Sequence, residues 1–386
     1  MSQNHLRILH LASFSGNIGD IESQKSFRRW FDKLLPDFEI TWINFEIRNF
    51  FRREHEVFES FDSQVTQSDL VVVGGGNFLE LWPEDSPSGT SLPFGLDYLK
   101  KVDTPFFINA IGVDDGQGVG KVAAEKFSEF INALASSRRV FLSFRNDGST
   151  QTVKKFLNQE NLVKCRNLPD HGFFTLEEKS KPKTNELTLG INLAIDMPRI
   201  RFENYQGSAE SFLIQFAHSI ESLASNFTQL RFQFIPHMFS DLEAYSLVLR
   251  NLSDKTRREK VTVSPYDATA NSNVANLAYN QISMLIAMRF HSHVFGLERE
   301  IPTFSLVSYP QIAKLIKDIS INNWPQHSLN ENHKLLNERL FDFISSNLNS
   351  DFISLRESIR KYLGNLYEQR KITGEELHKW IFEVVV

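Results

Sequence analysis

Cysteine is nearly absent, with Cys165 alone in 386 residues. A single thiol excludes an intramolecular disulfide framework and a multi-cysteine metal site, and it suits a reducing compartment. Nothing around Cys165 supplies the context of a nucleophile, which favours a buried or inert thiol. A surplus of positive charge is missing as well. The 42 lysines and arginines stand against 47 acidic residues, a net charge of -5, so the overall balance favours neither nucleic acid nor an anionic bilayer. Any anionic ligand must therefore be met by a local cluster. No stretch reaches the roughly 18 apolar residues of a membrane-spanning helix. The opening MSQNHLRILHLASF lacks the basic segment and apolar core of a secretory signal. The histidines show neither cysteine partners at ligand spacing nor an H-E-x-x-H pattern, so no redox or metal cofactor is called for. These absences predict a cytoplasmic protein with no integral membrane segment and no nucleic-acid partner; nothing in the sequence sets an oligomeric state.

Short apolar runs alternate with longer amphipathic ones. LRILHLASF, FEITWINF, DLVVVGGG, TPFFINAIGV and VFLSFRN read as strands separated by helical periodicity. The same grammar restarts after the polar stretch LEEKSKPKTNE, Leu176 to Glu186, with LTLGINLA, LRFQFIPHM, KVTVSP, ISMLIAMRF and PTFSLV. Strands alternating with helices predict mostly parallel sheets covered on both faces. The expected fold is α/β: two Rossmann-like domains, residues 1–178 and 187–345, followed by C-terminal helices over 346–386 that break near Gly364 and pack back on the first domain. Ligands of such sheets bind outside the carboxyl ends of the strands. The abundant phenylalanine, 34 residues, is spread along the chain and reads as core. The segment Ser26 to Leu35, SFRRWFDKLL, reads as an ordinary packed helix rather than a membrane-surface one.

Several motifs fall just after predicted strands. GNIGD, residues 16 to 20, follows the first strand and opens a helix; it is either a plain turn and cap or a ligand loop, with Asn17 and Asp20 as its polar members. VVVGGGNF places Gly74, Gly75, Gly76 and Asn77 at a strand end, where unscreened backbone N–H groups could face a ligand or simply make a tight turn. SFRNDGS brings Arg145 and Ser149 to another strand end; the guanidinium offers a fork to carboxylate or phosphate, or pairs at the surface with Asp147. FIPHMFSD does the same for His237. In LIAMRFHSHVFGLEREIPTFSL, Arg289 and His291 follow an apolar run and precede a helical one. An arginine with a histidine at a helix start suits binding an anion and moving a proton. The alternative is that His291 and His293 satisfy backbone groups while Arg289 pairs with a buried carboxylate.

Taken in order, GNIGD, GGG, RNDGS and RFH followed by REIPTFSL resemble the motifs of the polysaccharide pyruvyl transferase family, over roughly residues 8 to 320. Two positions depart from the family pattern: Tyr309 and Lys314 stand five apart where members often have three, and AIGVDDG, with Asp114 and Asp115, replaces a GIGP-like end. The resemblance implies a GT-B-like architecture and transfer of pyruvate from phosphoenolpyruvate, as donor substrate, to a sugar of a surface glycan, commonly as a ketal. The acceptor would be a sugar or a lipid-linked oligosaccharide, met on the first domain at the inner face of the membrane, with phosphoenolpyruvate on the second. By position, Arg145 and Arg289 would hold the carboxylate or phosphate, and His291 would be the catalytic residue. Asn17, Asp20, Gly74, Gly75, Gly76, Asn77, Ser149 and His237 complete the expected substrate-binding set. Two other readings remain at this point. A GT-B glycosyltransferase could place the ribose of a nucleotide sugar on Glu298 or Glu300, and a non-catalytic member could bind glycans only.

Overall fold

The computed structural model describes residues 4–52, 55–176, 187–269, 274–348 and 352–386. Most of the polar interruption put forward as the domain boundary, 177–186, lies outside the described residues. The chain forms two compact units, one of Met1–Phe14, Ser23–His171 and Asn365–Val386, the other of Ser15–Glu22 and Gly172–Gly364.

The first unit is built on strands β1 (Asn4–Ala12), β2 (Phe38–Glu46), β3 (Leu70–Gly74), β4 (Leu79–Glu80), β5 (Phe106–Ile111), β6 (Val113–Asp114), β7 (Val140–Phe144) and β8 (Arg166–Asn167). Six of them make a parallel sheet in the order β2-β1-β3-β5-β7-β8, and β4 pairs with β6 in a small parallel ribbon. LVVVG of β3 and FFINAI of β5 are buried at every residue, as strands covered on both faces must be. The edge strand β2 instead mixes exposed and buried positions. Helix Ile18–Leu34 inserts Phe27 and Phe31 between the sheet and the C-terminal helix, whose Leu377 and Ile381 join the same core. This is the packed-helix reading of SFRRWFDKLL.

The second unit carries β9 (Thr188–Asn192), β10 (Arg231–Phe234), β11 (Val261–Val263), β12 (Met284–Ala287), β13 (Thr303–Val307) and β14 (Gln326–Ser328). Their order is β11-β10-β9-β12-β13-β14, again all parallel. Each unit is thus Rossmann-like, as the alternation of runs predicts. Strand order reverses between β1 and β3 in the first unit and between β9 and β12 in the second. Those switch points open the crevices in which doubly wound sheets bind ligands.

One local expectation fails. The C-terminal helix runs unbroken from Ile353 to Val384, through Gly364. Its neighbours IRKYL and NLYEQRK are good helix formers, and a single glycine costs only about 1 kcal/mol against alanine. A Cβ at Gly364 would meet nothing within 4 Å among the described residues. We therefore expect Gly364→Ala to raise unfolding stability by about 0.5–1 kcal/mol in urea titration; a lower midpoint would mean that the helix is interrupted there in solution.

Candidate functional site

The residues at the carboxyl edge of the second unit's sheet form one cluster, organised around Asn192 at the end of β9. Its amide Nδ2 donates to the Ile235 carbonyl after β10, and its Oδ1 accepts the Arg289 N–H after β12. One side chain therefore ties together the ends of β9, β10 and β12 beside the switch point. Arg289 keeps extended φ and ψ of -92° and 148° and acts as the N-cap of helix Phe290–Glu298. It does not share an extended strand face with His291, which lies inside the first turn of that helix.

Arg289 is 7% exposed, and its guanidinium is held by two carboxylates. Nε lies 3.1 and 3.0 Å from the two oxygens of Asp241, Nη2 contacts Asp241 as well, and Nη2 reaches Asp196 at 2.6 Å. Nη1 donates no hydrogen bond among the described residues. Burial works to lower its pKa, but Asp241 and then Asp196 outweigh it and hold the cation above its ordinary value. Asp241, fully buried, also accepts the His237 and Met238 N–H groups at 2.8 and 3.2 Å, capping helix Phe239–Arg250.

His237, buried at the end of β10, sits 2.8 Å through Nε2 from the Tyr279 hydroxyl, which donates to Ser292 at 2.7 Å. With Tyr279 as donor to Ser292, Nε2 carries the imidazole proton, and the buried Nδ1 keeps a lone pair without a hydrogen-bond partner among the described residues. Burial, then Arg289 and His291, hold His237 well below the usual histidine range, so the ring is neutral.

The GNIGD loop belongs to this unit. Gly16 N–H donates to Ala268 O at 3.1 Å, Ile18 N–H to His237 O at 3.0 Å, and Tyr266 donates to Gly16 O at 2.9 Å. Asn17, rather than Asp20, performs the capping, its Oδ1 accepting the Gly19 N–H at 3.0 Å. Asp20, one turn in, places Oδ1 3.5 Å from His291 Nδ1. A Cβ on Gly19 would lie 2.4 Å from the His291 Cβ, so only glycine lets the two helix starts meet. His293, by contrast, is internal: Nδ1 faces Arg289 O at 2.7 Å and Nε2 faces Ser305 Oγ at 2.9 Å. Burial pushes its pKa down to about 4.

The remaining predicted residues belong to the first unit. Gly74 and Gly75 take positive φ of 107° and 78°, and Gly75 N–H donates to Asn109 O at 2.8 Å. The three glycines are buried, and a Cβ on Gly74 would come 2.8 Å from that same carbonyl. The Gly75 N–H is thus engaged within the unit, and the loop is closely packed against the Asn109 carbonyl. Asn77 donates to Asp114 at 2.7 Å. Arg145 is buried rather than at the surface, with Nε 2.6 Å from Asp147 and Nη1 3.4 Å from Asp170. Ser149, fully buried, is spent on Asp147 and on the Val113 N–H at 2.7 Å. Cys165 is half-buried, and burial pushes its thiol up to about 11, away from the reactive thiolate.

The polysaccharide pyruvyl transferase family profile matches residues 17–310, most of the chain. The chain belongs to that family. Solved structures share its fold at low identity. A putative UDP-N-acetylglucosamine 2-epimerase from Listeria monocytogenes aligns over 97% of this chain and 95% of its own, with 10% identity and a TM-score of 0.57. The S. aureus MnaA–UDP co-structure aligns over 99% and 98%, with 11% identity and a TM-score of 0.56. The chain spans only 57% of the longer S. aureus TarM mutant structure, covering 82% of itself at 12% identity and a TM-score of 0.47. No curated protein matches in sequence. The fold class is thus GT-B-like, and the family is one of transferases. No helix among the described residues is long and apolar enough to cross a membrane.

As a pyruvyl transferase family member, the chain brings Asn17, Asp20, His237, Arg289 and His291 together in one unit, while Arg145, Ser149 and Gly74 to Asn77 stand in the other. Sequence reasoning missed Asn192, Asp196, Arg201, Asp241 and Tyr279. Only Asp241 carried a signal, as the acidic residue four positions after His237 in a strand-to-helix turn. Glu298, held in reserve for a nucleotide ribose, is committed: it accepts from Thr175 and the Leu176 N–H at 2.6 and 2.8 Å and pairs with Arg299 at 2.7 Å. Glu300 pairs with Arg360 at 2.6 Å.

Two outcomes follow from this geometry. Gly19→Ala should cost about 1–3 kcal/mol of stability through overpacking, and much less in a His291→Gly background, a non-additivity read from a double-mutant cycle in urea. Additive costs would place the two residues out of contact. His293 and His237 are neutral when folded, so the unfolded chain binds protons first as pH falls. Their contribution is complete above the unfolded pKa of about 6.5 and is lost as pH falls toward 4, where the folded His293 titrates. The urea midpoint should fall between about pH 7 and pH 5; a midpoint that rises on acidification would contradict neutral buried rings.

Proposed function

We propose that the protein transfers the pyruvyl group of phosphoenolpyruvate to a sugar of a surface polysaccharide or glycan and closes a ketal there. The observation that carries this reading is the Arg289–His291 pair at the start of helix Phe290–Glu298, beside the switch point of a sheet in a pyruvyl transferase family member. Phosphoenolpyruvate is an anion of carboxylate and phosphate. A guanidinium with a donor to spare and a helix N-terminus meet that charge within an acidic chain.

His291 is the proton donor in this scheme, with Asp20 at 3.5 Å orienting its ring. A proton delivered to C3 turns the methylene into a methyl group and makes C2 electrophilic. One sugar hydroxyl adds to C2, the C2–O bond to phosphate breaks, and a second hydroxyl of the same sugar closes the ring. Of the two hydroxyl protons released, one replaces that given to C3 and the other leaves on phosphate. Arg289 offsets the charge of the carboxylate or departing phosphate. No step calls for a metal. A nucleotide-sugar donor is less well served, because both oxygens of Glu298 are already bound within the unit.

The test incubates the protein and phosphoenolpyruvate with glycans carrying free sugar diols, reading phosphate release and the ketal methyl signal by NMR. His291→Ala should retain phosphoenolpyruvate binding and lose about 10²–10⁴-fold in turnover, the usual weight of general acid–base catalysis. Near-normal turnover in that variant would remove His291 from the chemistry, and binding of UDP or GDP with no response to phosphoenolpyruvate would move the protein to glycosyl transfer.

A further inference from the structure

A second arginine lies beside Arg289. Arg201 ends the short helix Pro198–Arg201, in the stretch DMPRIR that follows β9, and its side chain is 8% exposed. Nη2 lies 3.2 Å from Asp196 Oδ2, Nε 3.0 Å from the Asp196 carbonyl, and Nη1 3.1 Å from Ser308 Oγ; the guanidinium stands 5.5 Å from the Tyr309 ring centroid. Asp196 thus bridges the two guanidiniums, one oxygen on each. The two carboxylates that serve Arg289 differ sharply. Asp241 is sealed and doubly engaged by backbone N–H groups, whereas the Asp196 side chain is 22% exposed and, among the described residues, bonds only to the two arginines.

The backbone next to Asp196 is also strained. Met197 holds φ 54° and ψ 51°, the left-handed region, although it is bulky and precedes a proline. Such a conformation disfavours the closed arrangement and persists only where its surroundings enforce it. Charge bookkeeping points the same way: the two guanidiniums are balanced by Asp196 and Asp241, and withdrawal of Asp196 leaves one net positive charge facing a vacated carboxylate position.

We propose that Asp196 is a built-in stand-in for the oxyanion of the donor, and that Arg201 is a second guanidinium of the anion site. A carboxylate or phosphate group enters between Arg201 and Arg289, replaces Asp196 on both, and takes up the spare Nη1 of Arg289. Asp196 moves to solvent, and release of the Met197 strain accompanies the exchange. Ligands lacking a compact oxyanion cannot displace it, so the site stays closed to neutral sugars. In assigning the oxyanion to phosphoenolpyruvate, this inference rests on the pyruvyl-transfer reading.

The experiment titrates wild-type protein, Asp196→Asn and the double variant Asp196→Asn/Arg201→Gln with inorganic phosphate, pyruvate and phosphoenolpyruvate by calorimetry, with thermal melts of each. Removing the internal competitor should tighten binding of phosphoenolpyruvate and of phosphate or pyruvate roughly tenfold, and the double variant should lose the gain. The simple anion that gains more identifies which group of the donor lies there. Folded Asp196→Asn protein that binds these anions no better than wild type overturns the proposal. If Asp196→Asn does not fold, Asp196→Ser takes its place, and failure of both makes Asp196 a structural clamp and ends the idea. Tightened phosphate binding without any phosphoenolpyruvate binding would sink the pyruvyl-transfer reading and leave the arginine pair standing. Phosphoenolpyruvate binding that Asp196→Asn does not strengthen would do the reverse, and no binding of any anion to any form would end both.

Discussion

The buried pair of Asp241 and Arg289 is the interaction on which the second unit's site depends. Asp241 is fully buried, and its carboxylate receives two backbone N–H groups and the Nε edge of Arg289. A sealed carboxylate so surrounded is tolerable only because its charge and lone pairs are met. Breaking such a pair by removing one partner typically costs about 3–5 kcal/mol. One carboxylate thereby fixes the ends of two strands: β10, through the His237 N–H, and β12, through Arg289. Asn192 ties β9 to the same two strand ends. The guanidinium is held before any ligand arrives, which is what preorganised electrostatic stabilisation needs.

Onto that frame comes a segment from far upstream in the chain. Ser15–Glu22 belongs to the second unit although it follows the first strand of the first. Backbone hydrogen bonds to Ala268 and His237 carry it, so its sequence is free to be small and polar. Gly19 is the point of contact with His291, and Asp20 stands one residue beyond. The GN-x-GD pattern therefore has a packing explanation in this chain. Asn17 caps, Gly19 admits the imidazole, and Asp20 lies 3.5 Å from it.

What could be read from the sequence were features that repeat locally. The runs LVVVG and MLIA are too uniformly apolar to be anything but strands covered on both faces, and the chain supplies the helices that cover them. The arginine and histidine at 289 and 291 stood out because polar groups between two buried elements need a reason. Pairings between distant positions were not legible. Asp196 meets Arg289, and Arg201 meets Ser308, only once β9, β12 and β13 lie side by side. The strands β4, β6 and β8, two residues each, are too short for any period to register. The glycines of GGG could be read as an anion loop or as a tight turn, and the Asn109 carbonyl that packs against them is brought in by β5, far along the chain.

The same reasoning separates the two arginines that sequence alone placed on equal terms. Arg145 and Arg289 are both buried and both held by two carboxylates. For Arg145 the carboxylates are Asp147 and Asp170, with side chains 2% and 0% exposed. Displacing either would bury an unpaired charge or demand that it cross the packed interior, both of them costly. Asp147 is further bound to the Ser149 hydroxyl and N–H, so its departure would also undo the start of the following helix. For Arg289, Asp196 is close enough to solvent to leave, and Asp241 remains to keep the guanidinium in place. On the proposed reading an anion exchanges with Asp196 at Arg289, while Arg145 ties the segment after β7 to the one after β8.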